Sequence, residues 1–539
     1  MSDQVTEFDA IVIGAGFSGL YTLHRLRNEM GLKVKVLEAG GGVGGTWYWN
    51  RYPGARCDSE SFIYGYMFDD KLWHEWEWTE RYPEQPEILR YLNHVVERFD
   101  LARDLQFNTK VTAAHLDEAT ATWTVATEDG TTLSSRFLIT GVGCLSAWNT
   151  PDFPGIEDYR GNKYFTGLWP HEPVEFTGQR VGIIGTGASA VQAIPRIAQQ
   201  AADLTVFQRT PNYIVPANHG PVPEQVAAER RQNFEAIREH TRNSAFGMPY
   251  DFQAKPLAEH SDEELHEVLQ GRWDIGGLSF MVAGFHEPIF DLEANLRIGR
   301  WLDGRIKEKV HDPVTADLLT PKKLTYAVKR IPLDSGYFET FNLPHVHLVG
   351  IKDNPVDAIT ATGVRLADGS EYEFDSIVFA TGFDSTTGTL NRIDIRGRGG
   401  QALREKWADG PRTYLGMSTA GFPNLFMVTG PQSPGVLSNM PTSIEQHVQF
   451  ISQLIEVAIG RDAVVEPTQA AEDAWVEHNE VVANATLFPL ADTTYTGANI
   501  PGKPRRFLPN LDTVVGYRAK CDEVATNDFE GFAFASAEG

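Results

Sequence analysis

The amino-acid sequence predicts an α/β fold: two Rossmann-like dinucleotide-binding domains, discontinuous along the chain, with a helical insert in the second. Three observations predict it. Two strand–turn–helix segments open on glycine-rich turns, each turn is followed at the same spacing by a charged residue ending a further strand, and a late apolar strand returns to complete a sheet.

The first unit begins with Phe8–Ile13 (FDAIVI), an apolar, β-rich run that leads into Gly14-Ala15-Gly16-Phe17-Ser18-Gly19 and a helical pattern through Leu20, Leu23 and Leu26. In such a turn the first glycine permits the bend, the second lets the backbone approach a pyrophosphate and the third lets helix and strand pack. A second strand, Lys33–Leu37, ends at Glu38, placed to accept both ribose hydroxyls of an adenosine. The pattern returns as Arg180–Ile184, then Gly185-Thr186-Gly187-Ala188-Ser189-Ala190, a helix, and a strand over Leu204–Phe207. Glu38 lies 24 residues after Gly14, and Arg209 lies 24 residues after Gly185. The acid has become an arginine. A carboxylate repels a 2′-phosphate, whereas a guanidinium pairs with it bidentately and Thr210 adds a hydroxyl donor. The second unit is therefore expected to hold NADPH, and the first FAD, because a tightly bound flavin commonly occupies the N-terminal unit and the NADP site is the insertion; the two cofactors exchange electrons.

At 539 residues the chain exceeds the usual domain size of roughly 100 to 200 residues. The buried-strand pattern Asp375–Ala380 (DSIVFA) ends in Thr381-Gly382-Phe383-Asp384 and marks a return of the chain to the earlier units. The expected limits are residues 1–145 and 385–539 for the FAD-binding domain, 150–220 and 325–384 for the NADP-binding domain, and 221–324 for the insert. Within the insert, Ser261-Asp262-Glu263-Glu264 predicts a capping box and Asp312-Pro313 an N-cap followed by proline at the first helical position. Thr493–Arg506 reads as a long loop whose Lys503, Arg505 and Arg506 are candidates to close over a phosphorylated cofactor.

Composition narrows the function classes. The formal charge of −25 disfavours nucleic acid and acidic membrane surfaces as partners. No apolar run approaches the roughly 18 to 20 residues of a membrane helix, and the polar, acidic Met1–Phe8 lacks the features of a signal peptide, so a cytoplasmic location is expected. Cys57, Cys144 and Cys521 are too few and too scattered for a disulfide framework, a zinc site or a CxxC pair. Redox chemistry must then come from a bound cofactor, with no metal expected.

The run Gly44-Gly45-Thr46-Trp47-Tyr48-Trp49-Asn50-Arg51-Tyr52-Pro53-Gly54-Ala55-Arg56-Cys57-Asp58 resembles a long fingerprint of the type I Baeyer–Villiger monooxygenases, and the similarity extends from Phe8 to about Phe532. It implies NADPH- and O2-dependent oxidation of ketones to esters or lactones, through a flavin C4a-peroxide and a tetrahedral (Criegee) adduct stabilised by a fixed arginine. That arginine corresponds to Arg330, paired with Asp58 beside the flavin, and the preceding Lys329 to a residue that contacts the NADPH 2′-phosphate. The expected FAD contacts are Gly14, Gly16, Phe17, Ser18, Gly19, Glu38, Gly45, Thr46, Trp47, Tyr52, Asp58 and Tyr64. The expected NADP contacts are Gly185, Thr186, Gly187, Ala188, Ser189, Ala190, Gln192, Arg209, Thr210, Lys329 and Arg330. Gly430–Met440 (GPQSPGVLSNM) is similar to the substrate loop of the phenylacetone and steroid monooxygenase branch, with Ser433, Leu437 and Met440 as candidates for touching an aryl-alkyl or bulky cyclic ketone. The partners implied are a small ketone and O2, for a monomer or weak homo-oligomer.

The sequence departs from the family pattern at two places. In the second fingerprint, which falls on Tyr159, Gly161, Phe165, Trp169 and Pro170, Phe165 replaces a histidine and so removes a ring N–H donor; His171 lies six residues on. Thr494 stands where most relatives carry a tryptophan that touches the cofactor. Two other functions therefore stay open: a flavin-dependent N- or S-oxygenase, and an uncoupled NADPH oxidase or redox sensor.

Overall fold

Each glycine turn grows out of a strand buried on both faces. In the computed structural model, which describes residues 6–323 and 326–536, Ala10 and Val12 of the first strand face one apolar cluster and Ile11 and Ile13 another. A continuous apolar run is what a parallel strand covered on both faces requires. The expected boundary between residues 324 and 325 lies outside the described residues, as do the first five residues and the last three.

In chain order the strands are β1 (Thr6–Ile13), β2 (Val34–Leu37), β3 (Leu105–Gln106), β4 (Val111–Asp117), β5 (Thr122–Thr127), β6 (Thr132–Thr140), β7 (Asn162–Phe165), β8 (Arg180–Ile184) and β9 (Asp203–Gln208). Four later strands return to the same sheets: β10 (Val346–Gly350), β11 (Ser376–Phe379), β12 (Asp394–Arg396) and β13 (Leu425–Met427). The first sheet has eight strands in the order β12-β4-β5-β6-β1-β2-β3, with β13 also paired to β6. Its centre is parallel, Ile13 lying between Leu37 and Thr140. The second sheet is parallel throughout, in the order β10-β9-β8-β11-β7.

Helix α1 (Phe17–Leu23) follows β1, and α2 (Ala188–Ala198) follows β8. The insert carries α3 (Asp262–Ile275), α4 (Leu292–Lys309) and α5 (Pro313–Leu319). Both expected caps form: Ser261 and Glu264 make the reciprocal capping box of α3, and the Asp312 carboxylate accepts the Thr315 N–H at the start of α5. The long α6 (Met440–Gly460) packs against α1 and starts where the expected substrate loop ends. Among the described residues no helix is long and apolar enough to cross a membrane, and no cluster of metal-ligating side chains forms.

Candidate functional site

The end of β1 must turn within a space that admits no side chain. Gly14 has φ +103°, and a Cβ there would lie 2.7 Å from the Gly141 carbonyl oxygen. A Cβ on Gly19 would fall 1.8 Å from the Gly14 carbonyl oxygen, so α1 can approach β1 only through glycine. Across the turn, a Cβ on Gly16 would sit 3.3 Å from the Gly45 Cα. Two glycine loops thus meet with bare backbone between them, a cradle open to a ligand's phosphates. At the end of β2, the buried Glu38 carboxylate accepts the Ala15 and Gly40 N–H groups, both at 2.7 Å, and burial raises its pKa. Each oxygen keeps a lone pair for a ribose hydroxyl. Phe17, Trp47 and Tyr64 form one buried aromatic group beside the cradle, with the Trp47 indole N–H donating to the Tyr64 hydroxyl at 3.1 Å. Ser18 is buried in α1, while Thr46 opens the short helix Thr46–Trp49.

The second turn repeats the geometry. Gly185 has φ +115°, and a Cβ there would meet the Ala380 carbonyl oxygen at 2.4 Å. Gly187 faces open space and, with Ala188, is exposed; Ser189 is half-buried and Ala190 is packed into the core. Arg209 and Thr210 are exposed beyond β9, and Arg209 pairs with no acid among the described residues. Asn212 ties this turn to Lys329: its amide donates to the Thr186 carbonyl at 2.8 Å, and its Oδ1 accepts the Lys329 ammonium. Burial lowers the Lys329 pKa to about 8.

Between the two turns lies an ion pair formed by residues far apart in sequence. Arg330 Nε donates to Asp58 Oδ2 at 2.6 Å and its Nη2 to Asp58 Oδ1 at 2.8 Å, a two-bond fork. Nη2 also donates to the Ser59 hydroxyl at 2.9 Å, Nη1 to the Ser438 carbonyl at 3.1 Å, and the backbone N–H to the Tyr495 hydroxyl at 3.2 Å. Burial works against the charge of Arg330, but Asp58 more than offsets it, and the guanidinium titrates above its ordinary value. The neighbouring Cys57 thiol is pushed up by burial and stays protonated.

An apolar cluster of Val328, Leu437, Leu487, Phe488, Ala491 and Tyr495 backs this pair. Leu437 is thus beside the candidate centre. Ser433 is buried, and its hydroxyl donates to the Gly430 carbonyl at 2.7 Å; Met440 packs on the core of the first unit. Gln192 is also engaged elsewhere. Its amide oxygen accepts the Tyr52 hydroxyl at 2.9 Å and its NH2 donates to the Arg56 carbonyl at 3.1 Å, so it clamps the fingerprint loop onto α2. Phe165 stacks on Phe379 with ring centroids 5.0 Å apart, and the exposed His171 packs on Tyr48 at 4.6 Å. The basic residues of the Thr493–Arg506 loop each have an acidic partner: Lys503 pairs with Asp384, Arg505 with Asp492 and Arg506 with Glu480.

Sequence reasoning did not find Ser59, Asn212, Ser438 or Tyr495. Asn212 carried a usable signal, three residues beyond Arg209 at the mouth of the second turn; Ser59 follows Asp58 directly, Ser438 lies within the expected substrate loop, and Tyr495 within the C-terminal loop.

Residues 9–236 match the flavin-binding monooxygenase-like family, and relatives align along nearly the whole chain. The chain belongs to the flavin-binding monooxygenase family. This monooxygenase is 44% identical to the phenazine N-monooxygenase of Lysobacter antibioticus, over 99% of the chain and 98% of that relative. It is also 44% identical to a Baeyer–Villiger monooxygenase of Pseudooceanicola batsensis, over 95% of the chain and 93% of the relative. A solved steroid monooxygenase bound to NADP superposes with a TM-score of 0.93 at 45% identity, covering 99% of this chain and 100% of that one. The Baeyer–Villiger resemblance and the expected fold are both borne out.

Proposed function

We propose that this chain carries out the NADPH- and O2-dependent Baeyer–Villiger oxidation of small ketones to esters or lactones. The observation that carries the reading is the half-buried Asp58–Arg330 fork between two dinucleotide cradles. The cradle of Gly14, Gly16, Gly19 and Gly45, with Glu38 at its end, fits FAD; the turn of Gly185 and Gly187, with Arg209, Thr210 and Lys329, fits NADPH. We assign the FAD unit to 1–145 with 385–539 and the NADP unit to 150–220 with 325–384, supported by the return of β12 and β13 to the first sheet and of β11 to the second.

Bound FAD, reduced by NADPH, supplies the activation of O2 and the transfer of one oxygen atom. The protein's part is electrostatic. Insertion next to a carbonyl requires a deprotonated oxygen nucleophile and places negative charge on the carbonyl oxygen. Arg330 keeps its proton throughout, and a fixed donor of this kind stabilises such charge by about 3 to 4 kcal/mol. Asp58 orients the guanidinium by occupying Nε and Nη2, and the Ser438 carbonyl holds Nη1 from the α6 side. The apolar cluster around Leu437 and Phe488 covers one side of the pair and narrows its access to water.

A second reading is N-oxygenation, favoured by the 44% identical phenazine N-monooxygenase. An amine or ring nitrogen attacks the protonated form of the oxidant and has no need of a fixed cation, so Arg330 weighs toward ketones. Product analysis of the FAD-loaded enzyme with NADPH, air and either phenylacetone or phenazine tests both readings. Benzyl acetate from phenylacetone is expected. Phenazine N-oxide without ester would put the second reading in its place, and stoichiometric peroxide without either product would overturn both.

A further inference from the structure

The C-terminal loop reaches the candidate centre through Tyr495, which is buried and packs its ring with Phe488, Val328 and Leu437. Its backbone carbonyl accepts the Leu508 N–H at 2.8 Å, and the Leu508 carbonyl accepts the Gln432 N–H at 2.6 Å, pinning the residue to the expected substrate loop. The phenol oxygen accepts the Arg330 backbone N–H at 3.2 Å. A phenol has one proton to give as well as lone pairs to offer. Among the described residues that proton has no acceptor, although the hydroxyl is buried within electrostatic reach of Asp58, Arg330 and Cys144. Leaving a buried donor unsatisfied costs free energy, which a ligand oxygen within reach of it would return.

We propose that the Tyr495 hydroxyl donates a hydrogen bond to the carbonyl oxygen of the substrate, with the Arg330 backbone N–H holding the phenol in place. Burial pushes its pKa up to about 12, so it remains a neutral donor at working pH. The assignment rests on the ketone reading above and adds a selectivity: Tyr495 favours substrates that carry an acceptor oxygen over near-isosteres that do not.

The test compares phenylacetone with benzyl methyl sulfide, which replaces the carbonyl by sulfur, at saturating NADPH on the FAD-loaded enzyme. Tyr495→Phe should lower kcat/KM for phenylacetone by roughly 10- to 100-fold and leave sulfide oxygenation within about 2-fold. Loss of the acceptor for Arg330 N–H could mimic the first result, so a second substitution separates the roles. Replacing Tyr495 by 3,5-difluorotyrosine lowers the phenol pKa; ionisation then removes the donor and strengthens the acceptor. The ketone rate should fall at lower pH than in wild type while the sulfide profile stays in place. Equal losses for both substrates in Tyr495→Phe, or an unshifted ketone profile in the fluorinated enzyme, would overturn the assignment. Absence of ester from wild type would instead overturn the ketone reading itself.

Discussion

The two glycine turns share a backbone geometry and differ in how they hold the residue proposed to select the nucleotide. Glu38 is 5% exposed and already bonded to its own loop, whereas Arg209 is exposed and pairs with no acid among the described residues. The first unit is finished before any ligand arrives; the second leaves its selecting charge at the surface. A cofactor that stays through many turnovers suits the first arrangement, and one that must enter and leave suits the second.

The largest effect should come from spoiling the finished turn. Gly19→Ala places a methyl 1.8 Å from the Gly14 carbonyl oxygen, in backbone with no room to move. Gel filtration should return protein largely stripped of yellow colour, with Tm lowered by several degrees. Full FAD occupancy in that variant would break the comparison. In the second unit, Arg209→Ala should raise KM for NADPH by about 10- to 100-fold, leave KM for NADH and FAD content unchanged, and hardly move Tm, because an exposed side chain that pairs with no acid among the described residues adds little to the fold.

Lys329 sharpens the contrast through pH. With its pKa lowered to about 8, the ammonium is charged below that value and neutral above it. Its attraction for a 2′-phosphate is therefore present below pH 8 and lost above it, and KM for NADPH should climb by up to about tenfold per pH unit beyond that point while KM for NADH stays level. A flat NADPH profile to pH 9.5 would remove Lys329 from the site.

The smallest effect concerns stability of the first unit. His447 in α6 is buried, its Nδ1 accepts the Thr429 N–H at 2.9 Å, and burial lowers its pKa to about 3. The unfolded imidazole takes up a proton below its ordinary value near 6.5, and the folded one does not until about 3. Stability contributed by the neutral ring is thus intact above pH 6.5 and declines as pH falls through that window, by about 2 kcal/mol at pH 5. Tm should fall more between pH 6.5 and 5 in wild type than in His447→Gln.

What was legible in the sequence was local. The turns, the strands before them and the end residues Glu38 and Arg209 lie within a few tens of residues, where periodicity and glycine spacing speak directly. Asp58 and Arg330 are 272 residues apart, and only the family resemblance joined them before the fold did. Ser438 and Tyr495 lie in the two loops the sequence singled out, but their backbone and hydroxyl contacts to Arg330 leave no pattern in sequence. Gln192 and the basic residues of the C-terminal loop show the opposite limit. Their position suggested a cofactor, and the fold adds a second set of contacts: Gln192 holds the fingerprint loop, and Lys503, Arg505 and Arg506 each pair with an acid. Residue type announces a capacity to bind phosphate; tertiary neighbours decide whether it is spent elsewhere.

The most direct test of the account is the ratio of ester formed to NADPH consumed, measured with phenylacetone in air-saturated buffer for FAD-loaded wild type beside Arg330→Ala. A ratio near one for wild type is expected, with ester falling by at least about 100-fold in the variant while NADPH is still consumed and peroxide released. Ester formation by Arg330→Ala at the wild-type rate would contradict the account.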